Sequence, residues 1–132
     1  MFTGIISNLG KLISLEKKNF PVLTIEVDFS EKIKVGDSVA VNGVCLTVTE
    51  FGKKNFRFNL SPETLKLSNF GDLPRGSFLN LELPLKLNDF LGGHLVSGHL
   101  DGVVRVKSIS GSKNNFRFTF IYQNRDGIGL GQ

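Results

Sequence analysis

Apolar and polar residues alternate over most of this chain, and that alternation predicts short strands rather than helices. Phe2 to Leu15 reads as a first strand, with Gly4 and Gly10 as bulge or bend positions. Glu16 to Asn19 is a hairpin loop. Val22, Thr24 and Glu26 then alternate with Leu23, Ile25 and Val27, the pattern of a half-buried strand. Val35-Gly36-Asp37 turns the chain into a strand over Ser38 to Val41. Asn42-Gly43 is the strongest two-residue hairpin signal, and Val44 to Thr49 returns as the partner strand. Gly52 to Asn55 turns again into Phe56 to Leu60, which alternates strictly. Ser61-Pro62-Glu63 breaks the pattern. A Ser N-cap, Pro at the first helical position and an early Glu start a short helix, expected to end near Asn69. Leu73 to Gly76 turns, and Ser77 to Leu83 alternates once more. Six evenly spaced strands and one late helix predict an all-β fold, a six-stranded Greek-key barrel.

The chain then repeats its own beginning. Thr3 falls on Ser97, Gly4 on Gly98, Ile6 on Leu100, Lys11 on Arg105, Leu12 on Val106 and Ser14 on Ser108, an offset of 94 residues. Further on, Asn19-Phe20 falls on Asn115-Phe116. After a one-residue gap Thr24-Ile25 falls on Thr119-Phe120. Residues 1–88 therefore read as one barrel and 89–126 as an incomplete second copy. Its strands are expected over Ser97 to Ile109 and Phe116 to Tyr122. Nothing after Tyr122 corresponds to Val39–Thr49 or Ser61–Leu65. Residues 127–132 are glycine-rich and without alternation, so a disordered tail is expected there. Two strands leave open edges, and Phe116, Phe118 and Phe120 need another surface to cover them.

Composition narrows the class. Of 132 residues, twelve are Phe and none is Trp, which favours sheet. The net charge of +4 is spread out, and only Lys17-Lys18 and Lys53-Lys54 are adjacent, both in turns. That argues against nucleic acid as a partner. Phe56-Arg57-Phe58 and Phe116-Arg117-Phe118 put Phe on one face and Arg on the other, the ordinary in–out pattern of a barrel strand. A single cysteine allows no internal disulfide. With no apolar run of spanning length and no charged leader, a cytoplasmic protein without a membrane partner is expected.

Few residues can carry chemistry. Cys45 is either a small core residue or part of a pocket wall. Thr47, two residues on, shares its face. His94 and His99 are five apart, with no acidic or cysteine partner at metal spacing, so no metal is expected. His99 is either structural or a polar pocket group. Gly92, Gly93 and Gly98 allow close approach of a backbone or a flat ligand. Glu63 and Thr64 either cap the helix only or face a ligand from its first turn.

Taken together, MFTGII at the start, VNGVCLTV over Val41–Val48, SPETL over Ser61–Leu65 and GGHLVSGHLDG over Gly92–Gly102 resemble the riboflavin synthase family, which includes the lumazine-binding fluorescent proteins. The resemblance implies two similar Greek-key barrels and a C-terminal helix that joins three subunits. It implies dismutation of two 6,7-dimethyl-8-ribityllumazine molecules to riboflavin and 5-amino-6-(ribitylamino)uracil, with no cofactor and no metal. By matched motif, it implies substrate contacts from Gly4, Ile5 and Ile6, and from Cys45, Leu46 and Thr47. Asn59, Leu60, Ser61, Pro62, Glu63 and Thr64 follow, then Gly98, His99 and Leu100. Ser38 is a further substrate-binding position, and Phe2, Thr3 and His94 are near neighbours. Cys45, Thr47 and His99 are its candidates for polar assistance in catalysis. This chain departs from the pattern in lacking a second VNGVCLTV, a second PETL and the trimer-forming helix. Its homo-oligomer is thus expected as a trimer, a dimer or an unstable assembly. Ligand binding by the first barrel with little turnover is expected of the polypeptide alone. The alternative is a non-catalytic protein that binds lumazine or riboflavin.

Overall fold

The computed structural model describes residues 1–29 and 33–122, so the expected disorder of 127–132 lies outside the described residues. The chain divides into two compact units, Met1–Leu100 and a second that begins at Asp101.

The first unit is a closed antiparallel barrel. Its strands are β1 (Asn8–Glu16), β2 (Val22–Glu26), β3 (Ser38–Val41), β4 (Val44–Phe51), β5 (Asn55–Asn59) and β6 (Phe78–Glu82). Around the barrel the order is β1-β2-β5-β4-β3-β6, and β6 pairs back onto β1. β3, β4 and β5 follow one another while β6 returns to lie beside β3, which is the Greek-key connection. Period-two alternation supplies the core. Leu23 and Ile25 of β2, Val39 and Val41 of β3, Phe58 of β5 and Leu79 and Leu81 of β6 are all fully buried. The register of β3 and β4 is set by their turn. Asn42 and Gly43 both have positive φ, 48° and 83°, as a two-residue hairpin loop of right-handed strands requires. The Asn42 side chain also accepts from the Asn80 N–H at 2.8 Å, which ties the hairpin to β6.

Three elements differ from the sequence expectation, one of them the strand expected over Ser97 to Ile109, which is observed over Val104–Ser112. The first ladder starts at Asn8 rather than Phe2, because Gly4 takes a left-handed φ of 83° and bends the chain out of line. Phe2 pairs instead with Val96 in a lone bridge. The helix α1 (Pro62–Leu67) is capped by Ser61 as expected, its Oγ accepting from the Thr64 N–H at 3.0 Å, but it stops before Ser68. Ser68 is extended, and a 3₁₀ turn over Phe70–Asp72 then carries Phe70 into the barrel core, where it is 1% exposed. Burying that ring outweighs two more helical residues.

The second unit is a hairpin of β7 (Val104–Ser112) and β8 (Asn115–Tyr122). It repeats β1 and β2 in detail. The β1 register shifts between Leu12 and Ser14, and the β7 register shifts between Val106 and Ser108, the repeat-equivalent position. Ile25 pairs with Leu12, as Phe120 pairs with Val106. Burial differs. Leu12 and Ile25 are 2% and 0% exposed, whereas Val106 and Phe120 are 48% and 55% exposed. No helix among the described residues is long and apolar enough to cross a membrane.

Phe70→Ala is expected to destabilise the barrel by about 3–5 kcal/mol, as other buried Phe truncations do. Phe116→Ala, on an exposed strand, should change stability by less than about 0.5 kcal/mol. Urea unfolding of the two variants compares them directly.

Candidate functional site

The opening segment and the segment around the two histidines lie side by side across the first unit. Phe2 N–H donates to the Val96 carbonyl at 2.8 Å and Val96 N–H donates back at 2.9 Å. His94 N–H donates to the Thr3 carbonyl at 3.0 Å. Two residues past Val96, the chain meets the barrel wall, and Cys45 N–H donates to the Gly98 carbonyl at 2.9 Å. Gly98 has a φ of 82°, and a Cβ there would stand 2.7 Å from the Cys45 Cβ and 3.2 Å from the Phe2 ring. Only glycine fits that seat.

This docking encloses a half-open groove of about 290 Å³ on the outside of the barrel. One wall is the start of β4, Val44 and Cys45. A second is α1, through Glu63, Thr64 and Leu67. The third is Gly98, His99 and Leu100. Cys45 faces outward because Val44, Leu46 and Val48 point into the core. The groove therefore offers a thiol, a hydroxyl, an imidazole and one carboxylate, with no lysine or arginine in its lining. Such a lining suits a flat, uncharged ligand with polar edges.

Six of the expected site residues meet here: Cys45, Glu63, Thr64, Gly98, His99 and Leu100. The others lie elsewhere. Leu46 and Leu60 are buried in the barrel core. Thr47 shares the outward face of Cys45, is exposed, and pairs with Ser38 on β3. Asn59 is exposed at the end of β5, while Ser61 and Pro62 open the helix outside the groove lining. Gly4, Ile5 and Ile6 are exposed beyond the Phe2 bridge and take no part in the lining. His94 is exposed and also lies off the groove. Two lining residues escaped the sequence reading, Val44 and Leu67. Leu67 stands three and four residues after Thr64 and Glu63, on the same helix face, so helical spacing carries its signal.

The family model of the lumazine binding domain matches residues 3–84. The riboflavin synthase of Bacillus subtilis (strain 168) is 44% identical over 116 residues, covering 86% of this chain and 54% of that protein. The riboflavin synthase of Escherichia coli (strain K12) is 42% identical over 127 residues, covering 94% and 60%. That of Saccharomyces cerevisiae (strain ATCC 204508 / S288c) is 36% identical, covering 96% and 57%. The chain thus spans between half and three fifths of the length of these relatives. Among solved structures, LumP complexed with 6,7-dimethyl-8-(1'-D-ribityl) lumazine is similar with a TM-score of 0.83. It is 23% identical, and the match covers 95% of this chain and 71% of that one. At this identity the likeness is one of fold.

Gly4 and Gly98 share a left-handed backbone but not a seat, since a Cβ on Gly4 meets only the Val96 side chain at 3.8 Å. Gly4→Ala is therefore expected to cost about 1 kcal/mol of backbone strain alone. Gly98→Ala should cost about 2–3 kcal/mol, strain and collision together. Urea titrations of the two single variants test the difference.

Proposed function

The chain belongs to the lumazine binding domain family, and we propose that its first barrel holds 6,7-dimethyl-8-ribityllumazine or riboflavin in the groove between Cys45, α1 and Gly98. The activity we assign to its lineage is that of riboflavin synthase. One lumazine gives a four-carbon unit to a second, leaving riboflavin and 5-amino-6-(ribitylamino)uracil. Every atom of the two substrates is found in the two products, so the stoichiometry asks for no oxidant. The observation that carries this reading is the groove itself, built by the docking of Gly98 on Cys45. Riboflavin synthases of bacteria and yeast at 36–44% identity support the choice of reaction over simple storage of a ligand.

The chemistry asks little of any one side chain. The C7 methyl of the lumazine is acidic because its anion delocalises into the ring. A modest base suffices, and His99 in the groove wall is our candidate, with Cys45 and Thr47 as polar helpers. The larger requirement is two substrates held face to face, a gain from positioning alone. One groove holds one of them. The second then comes from a barrel facing it in a homo-oligomer, a trimer by analogy with the family. Without such an assembly the polypeptide should bind ligand while turning over slowly. Its free thiol suits the cytoplasm.

Fluorescence titration of the purified chain with 6,7-dimethyl-8-ribityllumazine is expected to saturate at one ligand per chain. His99→Ala should weaken binding about tenfold, a loss near 1.4 kcal/mol. His94→Ala, off the groove, should leave it unchanged. Absence of saturable binding would exclude the groove as the ligand site. Turnover by the lone chain at the rate of its longer relatives would exclude the single-site part of the reading.

A further inference from the structure

Glu82 is the only charged residue buried among the described positions of the barrel, 6% exposed at the end of β6. It follows Leu81, whose side chain points into the core, so its own points the other way. Its carboxylate is filled by the opening segment. Oε1 accepts from the Thr3 N–H at 2.5 Å and from the Thr3 hydroxyl at 2.6 Å. Oε2 accepts from the Gly4 N–H at 3.1 Å. A buried carboxylate that loses such donors bears a large desolvation cost, so these bonds hold the segment firmly.

The fastening reaches further than Thr3. Phe2 and Thr3 are also the residues that grip Val96 and His94 through three backbone bonds. Val96 leads in two residues to Gly98, and Gly98 closes the groove on Cys45. Building on the ligand reading above, we infer that Glu82 is a positioning residue for the lumazine groove. It acts through the strap Phe2–Gly4 and touches neither the groove lining nor the ligand. The Glu82 carboxyl group accepts from two N–H donors at once. A glutamine at this place keeps one acceptor and turns its amide N–H₂ toward the other donor.

Amide hydrogen exchange measured by NMR on wild type and Glu82→Gln, with lumazine titrations of both, decides the matter. In Glu82→Gln, protection of the Phe2, Val96 and Cys45 amides is expected to fall about tenfold or more, the loss of charged hydrogen bonds. The β2 and β5 amides should keep theirs, and lumazine affinity should fall about tenfold with the strap. Unchanged exchange at Val96 and Cys45 overturns the inference. Should Glu82→Gln not fold, Thr3→Val, which removes the hydroxyl's bond to Glu82 together with the bond it accepts from the Ile5 N–H, decides instead. A several-fold loss confined to the same three amides supports the strap, and uniform or absent change refutes it. If wild type binds no lumazine, the ligand reading fails while the exchange pattern still judges the role of Glu82.

Discussion

The structure depends on one pair of reciprocal backbone bonds, between Phe2 and Val96. These two residues are 94 apart, the offset at which the chain repeats. Each copy therefore presents the same residue of its opening segment to the other, antiparallel, with the N–H and C=O of each satisfied by its equivalent. Such a self-matching contact is the intramolecular form of a two-fold interface. It also explains the shared left-handed backbone of Gly4 and Gly98, two residues beyond the bridge on either side.

From that bridge the groove follows by geometry. The segment leaving Val96 crosses onto the first barrel, and Gly98 replaces a side chain with its backbone carbonyl against Cys45. The equivalent segment leaving Phe2 bends at Gly4 and sends Ile5 and Ile6 to the exposed side. The first barrel is thus completed by residues from the second copy of the motif rather than by its own opening. Glu82 secures the crossing point, because the segment it fastens is the one that carries the bridge.

Much of this was legible in the sequence. Alternation placed all six barrel strands, Asn42-Gly43 placed the β3–β4 turn, and Ser61-Pro62 placed the helix start. The repeat foretold a strand pair after Ser97, although β7 begins at Val104 and the slip in its register is seen only in the structure. The crossing was not legible. Period two says which face a side chain takes, but not which sheet an extended segment lies against. Thr3–Ile6 and Ser97–Leu100 read alike, and the motif match assigns Gly4–Ile6 to the first barrel and Gly98–Leu100 to the second copy, whereas Gly98, His99 and Leu100 line the groove on the first barrel. The early end of α1 was hidden for a related reason. Local helix signals run to Asn69, while the burial of Phe70 that cuts the helix short is a tertiary event.

On the proposed reading, the lining chemistry and the backbone seam suit the same mode of action. The groove holds no lysine or arginine and a single carboxylate, so it has no strong electrostatic lever on a reacting centre. What it has is shape, set by a glycine pressed against a strand and a helix laid across the third side. A reaction whose substrate forms its own stabilised anion needs little more than precise placement of two flat molecules. On that reading the backbone contacts that set the walls serve placement, and no lining side chain is asked for more than modest help. The residues that matter most are then Gly98 and those that seat it, although none of Phe2, Glu82 and Val96 lines the groove.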